Sequence, residues 1–96
     1  MATTLQTDYN ALRKFSRELD RFSEELLYQV NSLQRETDSI VAYSWKGEQA
    51  DKFAGVIADN SSIIKANIEK LRELSEKVKE ASEKLREARE KDVTRR

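Results

Sequence analysis

The first half of the chain carries apolar residues at every third or fourth position, with one polar interval around Thr37, and this spacing predicts one long amphipathic helix rather than a strand. Leu27 and Val41 broaden this apolar stripe beyond what contact with a single helix requires. Thr7 or Asp8 can cap the first turn, so we predict a helix over about residues 8–43, after a short frayed leader. The repeating positions are Tyr9, Leu12, Phe15, Leu19, Phe22, Leu26, Val30, Leu33 and Ile40.

The second half repeats apolar residues with heptad spacing, which predicts a second helix over about residues 48–90 and a frayed tail over about residues 91–96. Val56, Ile63 and Ile68 widen the stripe in the first part of this helix, so that part is expected to have neighbours on more than one side. From Leu71 to Glu90 only the heptad positions are apolar. The heptad positions are Phe53, Ile57, Asn60, Ile64, Asn67, Leu71, Leu74, Val78, Ala81, Leu85 and Ala88.

The segment from Ser44 to Phe53 contains the only Trp and one of the two Gly residues. Gly47 permits backbone angles that reverse the chain, which predicts a turn at about residues 44–47 and an antiparallel hairpin of two helices. Trp45 has two interpretations: its ring seals the end of the helical interface, or it is recognised by another protein. Gly55 marks either a close helix crossing or a tolerated helical glycine.

A single hairpin with such wide stripes would leave apolar surface open to solvent, which marks an interaction surface. We therefore predict an all-α fold in which two hairpins pack into a four-helix bundle. Asn60 and Asn67 at heptad positions either set register and partner identity or face solvent at the bundle edge. The predicted interface with a second copy or a helical partner comprises Leu12, Phe15, Leu19, Phe22, Leu26, Phe53, Ile57, Ile64 and Leu71, with Trp45 beside it.

Composition argues against most other functions. The 18 basic and 18 acidic residues are mixed along the chain, without the basic face that nucleic-acid binding requires. There is no His, no Cys and no Gly-rich loop, so we predict no enzyme, no catalytic residue, no cofactor and no metal site. The N-terminus lacks the basic and apolar regions of a secretory signal peptide, and the mixed charges of the helices argue against membrane insertion.

The tripeptide Trp45-Lys46-Gly47, at the centre of a two-helix chain of 96 residues, resembles the motif of the WXG100 family of small type VII secretion proteins. The spacing from this motif to Ala50 and Phe53 is similar to the family's usual continuation. The resemblance implies a helical hairpin that forms homodimeric or heterodimeric four-helix bundles. It also implies export by a membrane ATPase without a signal peptide, and pairing of some members with larger toxins that carry related helical domains.

On this resemblance we expect a non-catalytic protein, secreted or displayed at the cell surface, that acts as a homodimer or as the helical partner of a larger effector. Trp45 and Gly47 are then the expected turn and secretion motif. Many exported members or their partners carry a Tyr followed four residues later by an acidic residue after the second helix, and here no Tyr follows Tyr43. The alternatives are a cytoplasmic targeting chaperone for a type VII toxin and a coiled-coil scaffold unrelated to secretion.

Overall fold

A computed structural model describes the backbone of residues 2–94 and the side chains of residues 6–91. Helix α1 spans Ala2–Tyr43 and helix α2 spans Glu48–Thr94, and no strand occurs within residues 2–94. Contacts pair early residues of α1 with late residues of α2, and later residues of α1 with earlier residues of α2, as in an antiparallel hairpin. The predicted all-α hairpin is therefore confirmed.

Both helices extend further than the sequence pattern predicted. Helix α1 begins at Ala2, so Thr7 and Asp8 lie inside it and the prediction that one of them is the N-cap was wrong. Helix α2 continues to Thr94, so the frayed tail predicted from residue 91 was wrong as far as the structure describes it. No Pro or Gly interrupts either terminal segment, and an existing helix propagates at little cost through residues that favour it. Residues 95 and 96 lie outside the described part of the chain.

The hairpin divides into two compact units, which we call the terminal unit and the bend unit. The terminal unit comprises Met1–Phe22 and Leu71–Arg96, and the bend unit comprises Ser23–Lys70.

In both units the contact between the helices centres on buried residues, which we call the seam; they recur every seven positions except for Ala50, which precedes Ser61 by eleven. In the terminal unit they are Ser16, Ser75 and Ser82. In the bend unit they are Ser23, Val30, Thr37, Ala50, Ser61 and Ile68. Most are small, and small side chains at a helix contact allow the two backbones to approach closely.

This seam corrects the heptad prediction for α2. The buried positions are Ser61, Ile68 and Ser75, each one residue after the predicted Asn60, Asn67 and Leu74, which are exposed. A search for apolar periodicity overlooks serine, because serine normally counts as a surface residue. The hydroxyl groups of Ser16, Ser75 and Ser82 bond to carbonyl oxygens near them, so burial leaves these three groups satisfied. Ser16 donates to the Arg13 carbonyl at 2.9 Å, and Ser82 donates to the Lys79 carbonyl at 2.7 Å.

Hydrogen bonds to the last turn of α1 determine where the chain reverses. The Ile40 carbonyl accepts from the backbone N–H groups of Ser44 at 2.9 Å and Trp45 at 2.8 Å, and the Lys46 ammonium donates to the Ala42 carbonyl. Gly47 then adopts a φ of 118°, in the left-handed region that other residues rarely enter. Its carbonyl accepts from the Asp51 N–H at 3.1 Å as α2 begins. The sequence prediction that Gly47 permits the reversal agrees with this backbone conformation.

Candidate interaction surface

One side of the seam carries polar contacts between the helices in each unit. In the terminal unit the Lys79 ammonium lies 3.0 Å from the Asp20 carboxylate. In the bend unit the Lys65 ammonium donates to the Gln34 side-chain oxygen at 2.9 Å. All four residues stand four positions after a seam residue of their own helix. Within each unit, the same step from the seam therefore leads to the same side on both helices, and we call this the polar side of that unit.

The polar contacts of the terminal unit form a connected group. The Ser75 hydroxyl, which is fully buried, donates to the Asp20 carboxylate at 2.6 Å and lies 3.1 Å from the Ser16 carbonyl. The hydrogen bond from Ser75, together with that from Lys79, lowers the pKa of Asp20 below its usual value. The hydrogen bond to Asp20, followed by that to Glu76, raises the pKa of Lys79. We call Asp20, Ser75 and Lys79 the polar latch of the terminal unit.

The opposite side of the seam in each unit is apolar, and we call it the apolar face. Its residues stand one position before a seam residue or three positions after it, and at about 100° per residue both positions turn away from the polar side. In the terminal unit, Phe22 is 51% exposed, and Phe15 and Leu74 are also exposed. Leu12, Leu19 and Leu71 are half-buried. The five residues of this unit that we predicted for the interface (Leu12, Phe15, Leu19, Phe22 and Leu71) therefore all remain accessible.

In the bend unit, Phe53 and Ile64 are exposed, and Leu26 and Ile57 are half-buried. These are the four residues of this unit that we predicted for the interface. The prediction omitted four other exposed residues, Leu33, Ile40, Val56 and Ile63, of which Ile63 is 60% exposed. Leu33 and Ile40 continue the periodic pattern of α1, so the pattern itself could have added them. Val56 and Ile63 lie beside the heptad positions, and the wide stripe of α2 was the signal for them.

Trp45 lies against Phe53, with ring centroids 5.5 Å apart and ring planes tilted by 48°. The ring is nevertheless 40% exposed, so Trp45 is not the buried plug that one interpretation of the sequence proposed. It covers part of Phe53 and presents the rest of its surface to solvent. A Cβ built on Gly55 would meet nothing within 4 Å, so this glycine does not mark a close helix crossing either.

The described residues contain neither a cluster of metal-ligating side chains nor a membrane-spanning helix. No group of three or more carboxylate, imidazole or thiolate side chains within them is arranged to hold a metal ion. Among them we also find no helix long and apolar enough to cross a bilayer.

A helical hairpin whose seam is buried and whose apolar face is open belongs to the class of small helical proteins that act through contacts with other helices. The chain belongs to the WXG100 family, described as "Proteins of 100 residues with WXG", whose family model matches residues 4–90. It is therefore a small protein associated with type VII secretion, and WXG100 proteins are non-catalytic helical secretion proteins. Neither the curated proteins nor the solved structures yielded a match.

Proposed function

We propose that this protein is a non-catalytic secreted protein of a type VII secretion system that acts as a homodimer. In the dimer, the apolar faces of two hairpins pack together as a four-helix bundle. The nine predicted interface residues, from Leu12 to Leu71, lie at this contact, and a secretion ATPase exports the protein by a route that needs no signal peptide.

The observation that carries the proposal is the difference between the seam and the apolar face. The terminal unit closes on small residues such as Ser16 and Ser75, so its largest apolar side chains are not buried within the chain. Phe15 and Phe22 remain exposed instead, on the face that also carries Leu19. Covering aromatic and aliphatic side chains of this size stabilises a complex by roughly 1.5–3 kcal/mol for each one fully buried. A second hairpin supplies a face of the same shape and chemistry.

A larger effector with a related helical domain is the second candidate partner. Val56 and Ile63 favour it, because both are exposed beside the heptad positions of α2 and widen the apolar face of the bend unit. A partner with a broader surface than this hairpin would cover them. In that case the protein acts as the effector's helical partner in export, or as its targeting chaperone in the cytoplasm.

Light scattering on a size-exclusion column, with helicity measured on the same sample, tests the homodimer. We expect a helical dimer at micromolar concentration and a shift to monomer for Phe22→Glu, which places a charge on the apolar face. Tyr28→Glu is the matched control, because Tyr28 is also a large exposed side chain of α1 and lies outside the predicted interface. A wild-type chain that is helical and monomeric would contradict the homodimer and favour the effector partner.

Export is tested separately, by measuring the protein in culture medium against a cytoplasmic marker of lysis. We expect export of the wild-type chain and its loss for Trp45→Ala, since the exposed ring of Trp45 is available to the export machinery. The purified variant must remain helical for this result to count. Retention of the wild-type chain in the cytoplasm would contradict secretion and favour the chaperone.

A further inference from the structure

The apolar face of the bend unit is interrupted by polar side chains on both helices. All of them are exposed. Each stands one residue before a buried seam residue, the same position that Phe15 and Leu74 occupy in the terminal unit. We call them the polar set, and its members are Gln29, Glu36, Asn60 and Asn67.

The polar set lies among the apolar residues of the face and away from the polar side. The contact between Lys65 and Gln34 marks the polar side, four positions after the seam. A residue one position before the seam is rotated about the helix axis by roughly 140° from the polar side, at about 100° per residue. The neighbours of the polar set on this face include Leu33, Phe53 and Ile64, all exposed.

The two asparagines have unused hydrogen-bonding capacity. The amide nitrogen of Asn60 donates to the Val56 carbonyl of its own helix at 2.9 Å. One N–H and the side-chain oxygen of Asn60 remain available. Asn67 makes no side-chain hydrogen bond within the described residues. Each amide can therefore both donate to and accept from a new partner.

We propose that the polar set selects a second copy of this chain as the occupant of the apolar face and limits its association to a single dimer. This inference rests on the homodimer proposed above. A two-fold contact brings the same patch from both copies, so each polar set enters an interface that contains the other. Amides are self-complementary, and the Glu36 carboxylate accepts from them. The net charge of zero adds no long-range repulsion between copies.

A purely apolar partner face would bury these groups without hydrogen bonds, which is unfavourable. Further copies or alternative registers are disfavoured for the same reason. Polar residues at core positions of coiled coils fix register and oligomeric state in this way, at some loss of stability.

The first test replaces both asparagines, Asn60→Leu with Asn67→Leu. We expect light scattering to show a mixture of dimers and larger assemblies where the wild-type chain gives one dimeric mass. The matched control is Asp59→Leu with Ala66→Leu. Asp59 and Ala66 are also exposed and seven residues apart, but each precedes an asparagine by one residue and is therefore rotated by about 100° away from the apolar face. The control should keep the dimeric mass. A double Asn variant that stays a single dimer overturns the proposal.

A second variant keeps the proposal testable if the leucine variant precipitates. Asn60→Asp with Asn67→Asp preserves side-chain shape but removes the amide donors and adds charge. We expect the dissociation constant of the dimer to rise roughly tenfold or more at neutral pH, while Ser62→Asp with Ala66→Asp changes it little. An unchanged dissociation constant would mean that the amides face solvent, and would overturn the proposal.

The two proposals fail in different ways. A monomeric wild-type chain overturns the homodimer, and this inference falls with it. A dimeric wild-type chain whose asparagine variants behave like their controls overturns only the role of the polar set.

Discussion

The terminal unit and the bend unit use the same two helices but differ in how many apolar side chains each buries in its seam and exposes on its face. The terminal unit has serines in its seam, a polar latch beside it, and an unbroken apolar face. The bend unit buries Val30 and Ile68 in its seam, and polar side chains interrupt its apolar face. Apolar burial within the chain is therefore concentrated in the bend unit, and apolar surface for a partner is most continuous in the terminal unit.

Because of this difference, the stability of the hairpin and its affinity for a partner should depend on different units. Burial of large apolar side chains contributes more stability than burial of small ones, since the contribution follows the area removed from water. The bend unit should therefore hold the hairpin together more strongly within one chain. The terminal unit should depend more on its polar latch and on the partner that covers Phe15 and Phe22.

Removing the largest buried side chain of the seam should have the greatest effect. Ile68 is 1% exposed, so Ile68→Ala leaves a cavity in the bend unit and should lower the free energy of unfolding by about 2–5 kcal/mol. Denaturant unfolding at fixed protein concentration measures this change, because association of chains also contributes to stability. Ile63→Ala is the control on the same helix, since Ile63 is largely exposed. Equal losses for the two variants would contradict a seam centred on Ile68.

Removing the Ser75 hydroxyl tests how much the polar latch stabilises the terminal unit. Ser75→Ala deletes the hydrogen bond to Asp20 and should lower the free energy of unfolding by about 1–2 kcal/mol, because the buried Ser75 hydroxyl donates to a charged group. Ser82→Ala is a matched control, since Ser82 is equally buried but bonds only to the carbonyl of Lys79 in its own helix. Equal effects of the two variants would mean that the latch adds nothing across the helices.

A helical glycine of the bend unit provides a reference away from both seam and face. Gly55 has free space around its Cα, so Gly55→Ala should raise the free energy of unfolding by about 1 kcal/mol through helix propensity alone. Thermal or denaturant unfolding measures this gain. The dimer dissociation constant should stay unchanged, and a weakened dimer would place Gly55 in the partner contact.

The two helices, the hairpin topology and the turn at Gly47 could be predicted because each follows from local sequence, although both helices run further than the pattern indicated. Periodicity, the absence of Pro and a single central glycine leave few alternatives. The centre of the seam could not be predicted in the same way. Whether Ser75 or Leu74 faces the other helix depends on how closely two backbones approach, which is a property of both helices together.

The residues of the apolar face were predicted only in part, and the reason is related. The nine predicted residues are accessible, but periodicity gives the same weight to a residue that packs within the chain and to one that packs on a partner. Val30 and Leu26 belong to one pattern, yet Val30 is buried and Leu26 is half-buried. The polar latch was not predicted at all, since Asp20 and Lys79 are far apart in sequence and resemble ordinary surface charges.

The smallest expected effect is the pH dependence of the latch. The pKa of Asp20 is lowered in the folded chain, so its ionised form contributes stability above the unfolded value of about 3.9. That contribution is lost as the pH falls through the folded pKa. The pKa of Lys79 is raised, so its contribution is complete below the unfolded value of about 10.4 and is lost as the pH rises through the folded pKa.

Asp20→Asn isolates this charge, because the amide oxygen can still accept the hydrogen bond from Ser75. We expect the wild-type chain to be more stable than the variant at neutral pH, by less than the change for Ser75→Ala, since exposed ion pairs contribute little. The difference should begin to shrink below about pH 4, disappear once the pH is below the lowered pKa of Asp20, and shrink again above about pH 10. Denaturant unfolding of both proteins across this range is the measurement. If the two free energies of unfolding differ as much at about pH 2.5 as at neutral pH, side-chain shape rather than charge stabilises the polar latch.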